Sequence, residues 1–186
     1  MLLALIGLAI ASTPCEVSIY SYDASVPESY SDTYALALSD AIEAWNSVDS
    51  SITLKYAGKT QNDKMQGAIV VSWSNDHGNN PSSVADTYTI ETTAGISRAR
   101  VLIMTDQKWC HVINRDDCYD LRRVLTHELG HAVGIDHGPH DSMMSTYTSP
   151  DDDSLKILTA ADVKLLQEIH PPGTNTCAGK NPVIAW

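Results

Sequence analysis

Basic residues are scarce in this chain: 12 Lys and Arg stand against 23 Asp and Glu, a formal charge of −11 over 186 residues, and nowhere do the cations gather into a stripe. Nucleic acid and anionic membrane surfaces are thereby excluded as partners, because both are bound through clustered Lys and Arg. The acidity reads as solubility outside the cell or in high salt. A membrane-spanning run is missing as well, since the apolar stretch Met1 to Ile10 is too short to cross a bilayer. Nor does a Cys-x-x-Cys pair occur among the four cysteines, which argues against a cysteine-held metal. The length suits one domain with a proper core and is short for two.

What the apolar start does offer is Ala9-Ile10-Ala11 before Ser12, the small-x-small form of a signal-peptidase site. Residues 1–11 are therefore expected to be a signal peptide, and residues 12–186 a single secreted, extracellular domain with no membrane association once the signal is removed. An even cysteine count in an exported chain suggests two disulfides. Of the three connectivities, the preferred one joins Cys110 with Cys118 as a local loop and Cys15 with Cys177 across the chain ends.

The chemistry is concentrated in His127-Glu128-Leu129-Gly130-His131-Ala132-Val133-Gly134-Ile135-Asp136-His137. On a helix, His127 and His131 stand four residues apart and project from one face, so they can share a metal. Gly134 can take the left-handed conformation that ends a helix, and the turn would bring His137 round as a third ligand. Three histidines suit one catalytic zinc ion with a fourth position left for water. Glu128, beside the first ligand, is placed to act on that water as general base without ligating.

Around this motif the patterning predicts an α+β domain. Glu16 to Tyr22 and Ile52 to Tyr56 alternate like strands. Tyr34, Ala37, Leu38, Ala41, Ile42 and Trp45 recur at helical spacing from about Ser31 to Asn46. Ala68 to Trp73 is an apolar run suited to a strand covered on both faces. A polar loop spans Asn75 to Ser83, its His77 read as solvated in preference to a metal ligand. Strands are expected over Val84 to Glu91 and Arg98 to Thr105, joined by a turn at Thr92 to Ser97. Asp117 or Cys118 is expected to start the motif's helix, with Arg122 and Arg123 solvated, and Thr159-Ala160-Ala161-Asp162 to cap a last helix that Pro171 and Pro172 end.

At its histidine motif the chain resembles the metzincin metallopeptidases, whose signature is His-Glu-x-x-His-x-x-Gly-x-x-His. Met144, in Asp141-Ser142-Met143-Met144-Ser145, sits like the Met-turn under the metal in that clan. Ala85-Asp86-Thr87-Tyr88, a glycine, and Thr105-Asp106-Gln107-Lys108-Trp109 are similar to the segment before the zinc helix in matrixins, and the Leu-Thr-x-x-Asp-Val helix is similar to their C-terminal helix. The resemblance covers most of residues 16–170. It implies a zincin-like fold: a twisted five-stranded mixed sheet with two long helices in the N-terminal part, an active-site helix, a Met-turn and a C-terminal helix.

By the same resemblance, the strand Val84, Ala85, Asp86, Thr87, Tyr88 and Thr89 is an antiparallel sheet edge that binds an extended protein or peptide substrate by strand addition. The segment from Ser142 to about Asp153 would shape the specificity pocket. Two family features are missing: the Pro-Arg-Cys-Gly latch and the structural-zinc histidines. Tyr147 lies three residues beyond Met144, one further than the metal-binding or transition-state tyrosine of some metzincins, and that role is not carried over. Calcium is a second reading for the acidic triplet Asp151 to Asp153. The expected activity is a secreted, monomeric zinc endopeptidase. Its rivals are a zinc-retaining module that binds protein without cutting it and, third, a purely structural zinc protein.

Overall fold

The computed structural model of the chain describes residues 14–78, 80–92, 95–111, 117–146 and 157–174. The proposed signal segment, Tyr147, the triplet Asp151 to Asp153 and Cys177 lie outside the described residues.

Strand β1 (Cys15–Tyr22), helix α1 (Ser31–Asn46) and strand β2 (Ile52–Thr60) form a parallel crossover unit. A short 3-10 turn, Glu28–Tyr30, leads into α1. Strands β3 (Ile69–Ser74), β4 (Ala85–Thr92) and β5 (Gly95–Met104) complete one five-stranded sheet in the order β2-β1-β3-β5-β4. All neighbours run parallel except β4, which returns antiparallel to β5 and forms the edge. The predicted mixed sheet and its antiparallel edge are therefore present. β3 is buried at five successive positions from Ile69 to Trp73, as a nearly continuous apolar run, broken only by Ser72, requires when both faces are covered.

The helix count differs from expectation. One long helix, not two, precedes the histidine motif among the described residues. The connections after β2 and β3 carry Gly67, Gly78 and Pro81 in short polar stretches, which favour turns over a second helix. After β5 come two short strands, β6 (Trp109–Cys110) and β7 (Tyr119–Asp120), paired in parallel and tied by the expected disulfide Cys110–Cys118. The motif's helix, α2, runs Leu121–Ala132, and α3 runs Ala160–Ile169. Asp120 caps α2, accepting hydrogen bonds from the backbone of Arg122 and Arg123. The cap therefore lies three residues beyond Asp117, because the short strand β7 intervenes before the helix begins.

The core lies between one face of the sheet and helices α1 and α2. Ile19, Ile69, Val71, Val101 and Ile103 meet Ala37, Leu38, Ala41, Leu121, Leu125 and Leu129 in one cluster. The chain contains no phenylalanine, so every large aromatic brings a polar group into the interior, where it needs a partner. Several find one across elements: Trp45 Nε1 donates to Thr126 O at 2.8 Å, Trp109 Nε1 to Met104 O at 2.8 Å, and Tyr34 shares a 2.7 Å hydroxyl bond with Ser21. The first of these fixes α1 against α2.

His170 closes α3. It is 5% exposed, its Nε2 donates to Val133 O at 2.8 Å, and its carbonyl accepts from Ser51 N at 3.1 Å. Burial holds its pKa below the ordinary 6.5, so the fold favours the neutral ring while the unfolded chain binds the proton first. Stability from this group is complete above about 6.5 and is lost as pH falls below that value. Urea midpoints measured at pH 7.5 and pH 5.5 should separate less in His170→Gln than in the parent; an equal separation would mean that this ring does not drive the acid sensitivity.

Candidate metal centre

Helix α2 presents His127 and His131 on one face, their ring centroids 4.6 Å apart. At its end Gly134 has φ 96°, a conformation that a side chain would strain. The chain turns there, with Ile135 N donating to Gly130 O at 3.0 Å, and brings His137 back to the pair. His131 Nε2 lies 3.0 Å from His127 Nε2 and 3.2 Å from His137 Nε2. Among the described residues this is the group of His, Cys, Asp or Glu side chains assembled as a metal site would need.

Hydrogen bonding tests whether the triad fits a metal. His127 Nδ1 lies 2.9 Å from Met143 O, and His131 Nδ1 lies 2.7 Å from Ile135 O. A carbonyl can only accept, so each Nδ1 carries the ring proton and each Nε2 is left with a bare lone pair. Lone pairs facing one another at 3 Å repel unless a cation lies between them. Zinc–nitrogen distances of ~2.0–2.1 Å in a tetrahedral arrangement place such nitrogens about 3.3 Å apart, close to the spacings found. Burial also lowers the pKa of His127 to about 4 and that of His131 below its ordinary value, keeping both in the neutral form that ligates. The three histidines thus fit a zinc ion.

Met144 is fully buried and packs against helix α2 at Gly130. Gly130 explains how it gets there, since a Cβ at that position would run into the Met144 thioether and come within 2.9 Å of Trp45 Cζ2. Of the two adjacent methionines, Met144 is therefore the one packed under the helix. Its turn is held from below by Asp162, a fully buried carboxylate that accepts from Met143 N at 3.0 Å and Met144 N at 3.1 Å. The same side chain closes the capping box of α3 by accepting from Thr159 N at 2.7 Å. A path of hydrogen bonds thus runs from α3 through the turn at Met143 to the ring of His127.

Glu128 is 6% exposed, and burial pushes its carboxyl up to about 7, with the Asp86 charge adding to the rise and a hydrogen bond from Thr87 opposing it. It lines a cleft of about 710 Å³ together with the three histidines and, from the β4 side, Val84, Ala85, Asp86, Thr87 and Thr89. Tyr88 is not part of that lining; on the alternating strand its side chain faces the other way and is 49% exposed.

Other expectations need correction. Arg123 is not solvated: it is 5% exposed and lines the cleft. Its position four residues before His127 puts it on the ligand face of α2, a spacing signal that its charge obscured. Arg122 instead pairs with Asp120 at 3.4 Å. His77 is pinned, with Nε2 2.9 Å from Asp106 Oδ2 and Nδ1 3.1 Å from Ser83 O. Tyr119, Asn80, Ser82 and Ser83 also line the cleft, and no pattern in the sequence marked them, whereas Thr146 falls in the segment that the resemblance assigned to the specificity pocket.

A search of curated proteins finds no match to the chain. The family model described as matrixin matches residues 15–171.

Proposed function

From the premise that this chain belongs to the matrixin family of metallopeptidases, we propose that it is a secreted zinc-dependent endopeptidase acting on extended polypeptides, with His127, His131 and His137 as ligands and Glu128 as general base. The observation that carries the reading is the convergence of three histidine Nε2 atoms, those of His127 and His131 left bare by their Nδ1 hydrogen bonds, beside a buried carboxylate. Zinc held there supplies Lewis acidity toward the scissile carbonyl and a water molecule acidified toward neutrality. Glu128 takes the proton of the attacking water and returns it to the leaving amine. The unpaired side of β4, from Val84 to Thr89, offers backbone N–H and C=O groups to a substrate strand, and Arg123 contributes a buried positive charge to the cleft wall. Met144 packs beneath the ligands and keeps the helix and the turn in register.

Export is supported by the Cys110–Cys118 disulfide, which suits an oxidising compartment. No helix among the described residues is long and apolar enough to cross a membrane. A zinc-retaining binding module would have no use for a carboxylate buried at the position of Glu128, so the enzyme is the preferred reading.

The test is cleavage of a mixed peptide library by the zinc-loaded protein, read by mass spectrometry. Chelation is expected to reduce the rate by on the order of a hundredfold or more, and one equivalent of zinc to restore it. A folded, zinc-loaded chain that cuts no peptide would overturn the reading in favour of the binding module.

A further inference from the structure

Strand β4 is read above as a substrate-binding edge, yet one of its side chains reaches past the cleft wall to the proposed base. Alternation along the strand sends Tyr88 and Ile90 outward, 49% and 46% exposed, and turns Ala85, Thr87 and Thr89 toward the cleft. Thr87 Oγ1 lies 2.6 Å from Glu128 Oε2 and 3.1 Å from the Glu128 carbonyl. A hydroxyl has one proton to give. The shorter contact has the length of a charge-assisted O–H···O⁻ bond, about 2.5–2.7 Å, so the carboxylate is the acceptor.

Two features make this contact a fixed one. Threonine is β-branched and stiff at χ1. Its backbone, moreover, is registered opposite Val101, a fully buried residue of β5. The hydroxyl is therefore held in place by the sheet, not by a mobile loop. On the other side, no described residue donates to Glu128 Oε1. A glutamate on a helix can rotate about its last torsion, which is broad and soft; one oxygen tied and the other left open stops that rotation and decides which oxygen faces the cleft.

We propose that Thr87 is a positioning residue for Glu128, its hydroxyl holding Oε2 so that Oε1 alone serves the reacting water. The proposal rests on the endopeptidase reading of the site and extends it to the strand. The backbone expected to receive substrate belongs to the same residue that orients the base. A peptide seated along β4 braces that residue, linking occupancy of the edge to the readiness of Glu128.

The experiment compares zinc-loaded parent, Thr87→Val and Thr87→Ser at equal zinc content. Valine keeps the branched shape and suits a strand but removes the donor; serine keeps the donor. In Thr87→Val, kcat should fall about 10- to 100-fold with KM within about twofold, since proton transfer and not binding loses its support. Thr87→Ser should return kcat to within about threefold of the parent. A valine variant with the parent's kcat, or a serine variant no better than valine, overturns the proposal.

If the parent cuts nothing, it is the endopeptidase reading that fails, and Thr87 is then judged from crystal structures of zinc-loaded parent and Thr87→Val. A single Glu128 carboxylate orientation bonded to Thr87 in the parent, and a rotated or divided one in the variant, is the expected pair. An identical carboxylate in both would sink the positioning role.

Discussion

Glu128→Ala is expected to give a folded protein that still binds zinc and cleaves peptides 10²- to 10⁴-fold more slowly, the range associated with loss of a general base. Zinc should be retained because the three ligand rings are oriented without Glu128. His127 and His131 are held by the carbonyls of Met143 and Ile135, and His137 is brought in by the Gly134 turn. Folding should survive because the carboxyl is 6% exposed and burial already raises its pKa to about 7, a sign that the folded state tolerates the charge at a cost. Among the described residues, the hydrogen-bonding side chain given up is Thr87, whose hydroxyl has the Glu128 carbonyl 3.1 Å away as a second acceptor. The measurement is kcat/KM at pH 7.5 with zinc quantified in the same sample. Activity within tenfold of the parent at full zinc would remove Glu128 from the mechanism.

The second large effect is on stability. Asp162→Ala should cost about 4 kcal/mol, because its carboxylate is fully buried and accepts from Met143 N, Met144 N, Thr159 N and Thr159 Oγ1. Truncation strands four donors, of which Met143 N and Met144 N are buried, and each buried unpaired donor costs about 1–3 kcal/mol before relaxation. Asp162→Asn should cost less, since the amide retains one accepting oxygen and the shape. Zinc affinity should drop as well, by about 10- to 100-fold, the usual price of disturbing the partner of a ligand ring: the Met143 carbonyl that orients His127 lies on the turn Asp162 holds. Urea unfolding and a competitive zinc titration read the two effects. A variant within about 1 kcal/mol of the parent that binds zinc equally would show that the Met-turn is anchored by other means.

Much of this was legible in the sequence because it rests on local periodicity. Helix α1 occupies the predicted Ser31 to Asn46, the β3 run is buried on both faces, and the spacing of His127, His131 and His137 brings three nitrogens together as expected. The capping box at Thr159 was readable for the same reason. The second role of Asp162 was not, because its partners Met143 and Met144 lie 19 and 18 residues away and only the tertiary fold brings them near. Asp120 was missed as the α2 cap because Asp117 and Cys118 offered equal local signals, and the choice is made by β7 pairing with β6. Arg123 was assigned to solvent by residue type, whereas its place on the ligand face of α2 puts it in the cleft wall. Of the cysteines, Cys110 and Cys118 are joined as the eight-residue spacing suggested, while the second pairing involves Cys177, outside the described residues.

The reach of Asp162 also has a consequence in time. A ribosome releases His127, Glu128 and His131 well before it releases α3, so during synthesis the turn beneath the ligands exists without the carboxylate that fastens it. Until that helix docks, the triad should hold zinc about 10- to 100-fold more weakly, as expected of Asp162→Ala.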